Sequence, residues 1–245
     1  MPEHELWLTA LFNDYLAGVA NAILGIFNVH ATNPVRPWEN WIVMELLVVA
    51  ILMILAAVVR ASLSAENPGK LQQLYELLFG FLKDQANQVG IEHPDQYLAF
   101  FGTLFIFILF MNMIGIIPIF ESPTMAVAVP TGLAISTWVY YHVMGVRELG
   151  PLKYMKHFLG PVIWLSPLMI FIEIIGHVAR MLSLTVRLYG NMFAGEQITT
   201  VFIALTYLVV PVVFMGLHVF VAFLQAYVFT LLTMIYVSMG TAHEH

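Results

Sequence analysis

Apolar positions in this chain of 245 residues do not alternate with polar ones; they run together in long stretches separated by short polar turns. The first run, 41–59, is interrupted only by Glu45. Folded as a helix it is long enough to cross the roughly 30 Å of a bilayer's hydrocarbon. A second run, 97–117, carries no charge and is closed by Pro118, and a third, 129–145, follows the turn ESPTMAVAVP. From 161 to 210 the sequence is almost continuously apolar, and Pro211 opens a last run that ends near Gly240. The pattern predicts spans over 39–60, 97–118 and 127–146, then a long helix over 161–209 and a return helix over 211–240.

Two segments carry a different pattern. In 68–90, Leu71, Leu74, Leu78, Leu82 and Val89 recur at helical spacing, while Lys70, Glu76, Lys83 and Asp84 fall mostly elsewhere on the wheel. Asn67 and Pro68 form an N-cap and N1 pair, so the segment reads as an amphipathic helix on the membrane surface, the alternative being a solvated loop helix. Residues 1–38 have no basic n-region and no small-residue cleavage site, and read as a retained, partly amphipathic outer segment. Neither an internal repeat nor a low-complexity linker divides the chain, which reads as a single membrane domain.

The long run is the informative one. At 1.5 Å per residue, 161–210 would extend about 75 Å, more than twice the hydrocarbon thickness. It either breaks at Gly190 and Asn191 or lies strongly tilted; a tight polar loop at membrane depth needs covering, which favours the tilted helix. Its polar residues are ordered. Glu173, His177, Arg180, Leu184, Arg187 and Asn191 step by four, three, four, three and four, which places them on one face. Glu196, nine residues past Arg187, turns to the opposite side. The return helix carries His218 and Gln225, seven apart on one face. In an antiparallel hairpin residues of equal index sum are level, so Glu196 with His218, and Gln225 with Arg187 or Asn191, are expected at similar depths.

Composition and charge agree with a bilayer as solvent. Sixty per cent of residues are hydrophobic, 10% are charged, and mean hydropathy is +0.86; a soluble domain carries roughly a quarter of its residues as charges. Six of the nine Lys and Arg (Arg60, Lys70, Lys83, Arg147, Lys153, Lys156) lie in two loops separated by two spans. The basic-loop rule makes both cytoplasmic, with the N-terminus outside and the C-terminus inside. The net charge of -6 is diffuse and names no partner, and the absence of cysteine excludes disulfides and thiolate metal sites. The fold class expected is therefore all-α, a polytopic membrane protein of about five embedded helices plus a surface helix, ending in a long tilted antiparallel hairpin.

Ionisable side chains inside a membrane mark function by default, since each costs about 2.5–3.5 kcal/mol on insertion scales. Arg187 has no carboxylate within one helical turn and stays protonated at any accessible pH. It can attract an anion or repel a cation, but it cannot pass a proton on. Glu173, His177 and Arg180 lie toward one end of the long helix and Glu196 toward the other. The residues suggest two proton-accessible half-paths kept apart by Arg187, with a carboxylate supplied by a partner. A secondary transporter would use midplane charges for substrate, but would show repeats and broken helices. A membrane metalloenzyme would need clustered ligands, and His142, His157, His177 and His218 include no pair at i,i+3 or i,i+4. No metal, no cofactor and no nucleic-acid partner is expected.

RLYGNMFAGE, 187–196, closely resembles the signature of subunit a of the F-type rotary ATP synthase, in its bacterial form. LQAYVFTLLTMIYVSM near the C-terminus resembles that family's last helix, and Asn112, Gly115 and Pro118 in NMIGIIP resemble a third block. The match runs from about residue 38 and is most specific in the last third. The resemblance implies a non-catalytic, proton-conducting stator subunit of the inner membrane, packed against a rotating ring of c subunits. It implies contact with peripheral stalk b subunits and, indirectly, with a soluble ATPase sector; the chain itself has no nucleotide-binding motif. Arg187 matches the arginine that faces the ring carboxylate. Asn191, Glu196, His218 and Gln225 match the outer half-channel, Glu173 matches an acid of the cytoplasmic path, and Arg180 stands where related sequences are basic. His177, grouped with the cytoplasmic path by its position, has no family role to carry over.

Overall fold

The computed structural model describes residues 5–26, 28, 33–64, 66–117, 119–154, 166–205 and 209–241, with the side chains of 203–205 and 209–211 outside the description. Among the described residues the chain is helical, with no strand: α1 (Trp7–Ile26), α2 (Asn40–Ala61), α3 (Lys70–Gln88), α4 (Leu98–Ile114), α5 (Ala128–Leu149), α6 (Ser166–Leu205) and α7 (Val209–Thr241). Three of these, over 40–61, 166–202 and 212–241, are long and apolar enough to cross a membrane, and α4 is a shorter apolar helix. The architecture is that of an all-α, polytopic membrane protein. The first residues of the expected long helix, 161–165, and the loop 155–160 lie outside the described residues, as do Pro118 and the terminal HEH.

The core is built where α4, α5, α6 and α7 meet. Phe101 and Phe105 of α4, Ala134 and Tyr141 of α5, Leu184, Leu188 and Met192 of α6, and Ala226, Phe229 and Met234 of α7 are all buried in one cluster. Small residues let the backbones approach, as membrane helix packing requires. At Gly145 a Cβ would stand 2.8 Å from the Gly240 carbonyl oxygen and would collide with the Tyr154 ring. A smaller cluster, Val48, Met111, Ile114 and Val129, joins α2 to α4 and α5.

α6 is one continuous helix through Gly190 and Asn191, so the chain does not break there. α6 and α7 form an antiparallel pair. Asn191 bonds Gln225 and the Phe202 ring stacks on Phe214, both with an index sum of 416, while Gly195 faces His218 at 413. Pro211 falls in the first turn of α7, where a missing N–H costs no helical bond.

Two expectations need correction. α3 begins at Lys70 with Gly69 as N-cap and no side-chain cap, so Asn67 and Pro68 precede the helix instead of starting it. The Pro68 carbonyl accepts from Gln73 Nε2 at 3.0 Å and the Asn67 N–H is held by Ser64 Oγ, which is the bonding of a turn. The apolar stripe of α3 also divides. Leu82 and Ala86 enter the core, whereas Leu71 and Leu74, with Leu77 and Phe81, are exposed. The helix thus has a protein-facing side and a separate outward apolar side, as a helix lying between a bundle and lipid would. α1 shows the same inversion: its buried positions are Thr9, Asn13 and Ala20, while Trp7, Leu11, Tyr15, Val19 and Ile23 point outward.

Candidate functional site

The residues singled out on α6 and α7 fall into two separated groups with Arg187 between. Glu196 sits a half-turn around α6 from Arg187, as nine residues at 100° each dictate. It lines a cavity of about 180 Å³ together with His218, Thr199, Thr200 and, from the chain segment after α4, Gly115, Ile116 and Phe120. A second cavity of about 210 Å³ follows the hairpin past Asn191, Gly195 and Ile198 and shares Thr199 and His218 with the first. Among the described residues, buried Glu196 Oε2, His218 Nε2 and Gln225 Nε2 find no hydrogen-bond partner. Buried polar atoms of this kind are satisfied by water wherever the space is polar and roomy enough to hold it. Asn191 Nδ2 donates to Gln225 Oε1 at 2.8 Å, so Gln225 joins its helix partner rather than Arg187.

Toward the other end of α6, a cavity of about 100 Å³ is lined by Glu173, His177 and Arg180, by Tyr141 and Tyr154, and by Tyr236 of α7. His177 Nε2 stands 3.3 Å from Glu173 Oε1, one helical turn away. Its Nδ1 shares a short hydrogen bond with the Tyr141 hydroxyl. The Arg180 guanidinium lies over the Tyr236 ring, 5.5 Å from its centroid. Tyr154, outside the spans, has its phenol pushed up to about 12, chiefly by burial and further by the Glu173 charge, against a smaller lowering by Arg180.

Arg187 lines none of these three cavities. The buried seam of α6 runs through His177, Leu184, Leu188 and Met192, and Arg187 stands at its border, half-buried. Among the described residues it forms no ion pair, and its hydrogen bond goes to Ser183 Oγ at 3.3 Å. By helical rise it lies about 14 Å from the level of Glu196 and about 21 Å from that of Glu173. Its neighbours Leu182 and Val186 are exposed apolar side chains. The polar stripe read from the spacing is therefore present on the helix, but it straddles the packing edge instead of lying wholly inside the bundle.

Several contributors come from elsewhere in the chain. Tyr141, His142, Tyr154 and Tyr236 complete the Glu173 cavity or its surround, with the His142 and His177 ring centroids 4.7 Å apart although 35 positions separate them. Glu121, next to the cavity residue Phe120, accepts a hydrogen bond from Asn40 Nδ2 and lies within electrostatic reach of Glu196. The YYH triplet at 140–142, three polar-tipped rings in an apolar helix, is the sequence signal that could have pointed to the α5 contributors. Among the described residues no group of three or more His, Cys, Asp or Glu converges in a way that could hold a metal ion.

An all-helical membrane protein with cavities that ionisable residues help to line on either side of Arg187 is a class defined by geometry. Comparison supplies the family. The ATP synthase A chain family matches residues 42–238. ATP synthase subunit a of Solibacter usitatus (strain Ellin6076) is 57% identical over 236 residues, 96% of this chain and 100% of the relative. That of Koribacter versatilis (strain Ellin345) is 46% identical over 242 residues, 99% of each. That of Geotalea daltonii (strain DSM 22248 / JCM 15807 / FRC-32) is 39% identical over 199 residues, 81% of this chain and 86% of the relative. This chain belongs to the ATP synthase A chain family and is a bacterial membrane-sector subunit with a role in proton translocation.

Proposed function

We propose that the chain forms two offset half-channels that load and unload the carboxylates of a rotating ring of c subunits, with Arg187 separating them. Glu196, His218, Asn191 and Gln225 form the outer half-channel. Glu173, His177 and Arg180 form the cytoplasmic one. A proton enters past Glu196 and His218, neutralises a ring carboxylate and lets that site turn into lipid at little cost. After most of a revolution the site meets the Glu173 cavity and releases the proton. Arg187 attracts the ionised carboxylate in its passage between the two paths and repels a proton that would cross directly. The membrane potential contributes about 2.3 kcal/mol per charge per 100 mV.

The observation that carries this reading is the position of Arg187. It is half-buried, outside all three cavities and without an ion-pair partner among the described residues. A permanent charge so placed is suited to an anion brought by another chain. The orientation proposed puts the N-terminus outside and the C-terminus in the cytoplasm, with peripheral stalk b subunits as further membrane partners and the soluble ATPase sector coupled indirectly. The chain breaks no bonds itself. The test is ATP-driven proton pumping by the assembled complex in vesicles: Arg187→Ala abolishes coupled, inhibitor-sensitive pumping, and retention of such pumping overturns the proposal. Arg187→Lys fails as well, because a desolvated lysine can give up its proton.

A further inference from the structure

His177 is a buried imidazole, 8% exposed, whose Nδ1 shares a hydrogen bond and whose Nε2 stands at ion-pair distance, 3.3 Å, from a carboxylate oxygen. On one side is Glu173, on the other Tyr141, which is 2% exposed and belongs to the central hydrophobic cluster. We propose that Tyr141 and His177 are positioning residues for Glu173: the phenol anchors the imidazole, and the imidazole holds the carboxylate in one orientation at its cavity. The inference rests on the reading of that cavity as the cytoplasmic half-channel and adds to it the device that keeps its acid in place.

The chemistry of the donors and acceptors orders the three groups. An ionised carboxylate only accepts hydrogen bonds, so the ring proton belongs on Nε2, facing Glu173. Nδ1 is then an acceptor and takes the Tyr141 O–H. A histidine whose second nitrogen is engaged has its tautomer and ring orientation set by that engagement. The imidazole is also held by a tilted ring contact. His142 lies against it at 4.7 Å, with its own Nδ1 at 2.8 Å from the Trp138 carbonyl oxygen. Turning the His177 ring would give up the Tyr141 bond, the Glu173 contact and the His142 ring contact together.

The other charged and titratable groups facing this site do not replace His177. Arg180, from the same helix, is placed over Tyr236 of α7. Tyr154, beyond the end of α5, lines the cavity. Among the described residues the ion-pair partner of Glu173 is His177 and not Arg180. The carboxylate's orientation therefore depends on an imidazole that is itself tied to a different helix, α5.

The assembled complex in vesicles tests this through passive proton conductance after removal of the soluble sector. His177→Phe keeps the ring volume and removes the Tyr141 hydrogen bond and the Glu173 contact; conductance is expected to fall by about tenfold, the size of one charge-assisted interaction. His177→Gln offers an amide N–H toward Glu173 and a carbonyl toward Tyr141, and is expected to restore conductance to within about threefold of wild type. Tyr141→Phe is expected to fall between the two. Soluble-sector binding to each variant complex before stripping verifies assembly. If His177→Phe conducts normally while Glu173→Gln does not, the positioning role is overturned and the half-channel reading stands. If His177→Gln is as defective as His177→Phe, positioning is overturned because the imidazole itself is required. If Glu173→Gln conducts normally, the half-channel reading fails and this inference with it.

Discussion

Asn191 and Gln225, 34 positions apart in sequence, join α6 to α7 through a 2.8 Å hydrogen bond one helical turn beyond Arg187. The bond ties the helix that presents the arginine to the helix that presents His218. It therefore helps fix the register of α6, with Arg187 and Glu196, against the α7 side of the cavity that His218 lines.

A double-mutant cycle of Asn191→Ala and Gln225→Ala should reveal a coupling of about 0.6 kcal/mol, and no more than about 1.7, the range found for interhelical hydrogen bonds in membranes. Equilibrium unfolding of the purified chain in mixed micelles measures it. Additive single effects would mean that the bond contributes nothing net.

Two glycines at tight helix contacts should respond differently to alanine. At Gly145 the added Cβ meets the Gly240 backbone oxygen at 2.8 Å as well as the Tyr154 ring, and a backbone atom cannot turn aside. At Gly102 the Cβ meets only the Phe79 ring, at 2.7 Å, on the surface helix α3. A ring can rotate or shift with its helix. Gly145→Ala is expected to cost about 1–3 kcal/mol and Gly102→Ala less than about 1. The thermal midpoints of the two variant complexes, compared with wild type, rank them. Because Tyr154 and Gly240 also line the Glu173 cavity, Gly145→Ala should lower proton conductance too.

Filling the Glu196 cavity should slow conduction without removing any ionisable group. Thr200→Phe places a ring in a space of about 180 Å³ that Thr200 and His218 both line. A water displaced without replacement of its hydrogen bonds leaves buried polar atoms such as Glu196 Oε2 and His218 Nε2 unsolvated. Conductance is expected to drop by roughly tenfold, the price of about one lost charged hydrogen bond. Unchanged flux would show that protons do not traverse this cavity.

How much of this was legible in the sequence follows from which contacts lie within one helix. The order Glu173, His177, Arg180, Arg187, Asn191 is a spacing property of α6, and the pairing of Glu173 with His177 at i,i+4 follows from helix geometry alone. The level of Asn191 with Gln225 followed from antiparallel indexing, since the two helices are joined by a short connection. The partners from α5 could not be read in this way. Tyr141 and His142 reach His177 because of how deep α5 sits beside α6, and that depth is set by side-chain packing such as Ala134 and Leu184 in the shared core. Glu121 was hidden for a similar reason. Its place near Glu196 depends on a turn in which Ser122 Oγ bonds the Met111 carbonyl and Thr124 bonds Asn112 Oδ1. The apolar faces of α1 and α3 misled in another sense: hydrophobic spacing finds an apolar stripe but does not tell lipid from protein when lipid is the solvent.

The attachment of α3 gives a prediction in which a charged pair is the weaker element. Lys83 Nζ and Asp95 Oδ1 are 2.6 Å apart, but the side chains are 44% and 71% exposed, and pairs of that kind contribute about 0–1 kcal/mol. Leu82 and Ala86, by contrast, are buried in the central cluster. The Tyr227 hydroxyl donates to Gln85 Oε1 at 2.9 Å, and Ser238 Oγ donates to the Val89 carbonyl at 3.0 Å. These contacts fasten the C-terminal half of α3 to α7, while its N-terminal half carries the exposed Leu71, Leu74 and Leu77. Asp95→Asn should therefore leave the thermal midpoint of the complex nearly unchanged. Leu82→Ala should lower it clearly, with a cost of about 2–5 kcal/mol for a buried leucine. Tyr227→Phe should fall between them, at about 1 kcal/mol for one part-buried hydrogen bond. An order in which Asp95→Asn is the most damaging of the three would mean that α3 is held by charge, and that its burial against α4 and α7 contributes little.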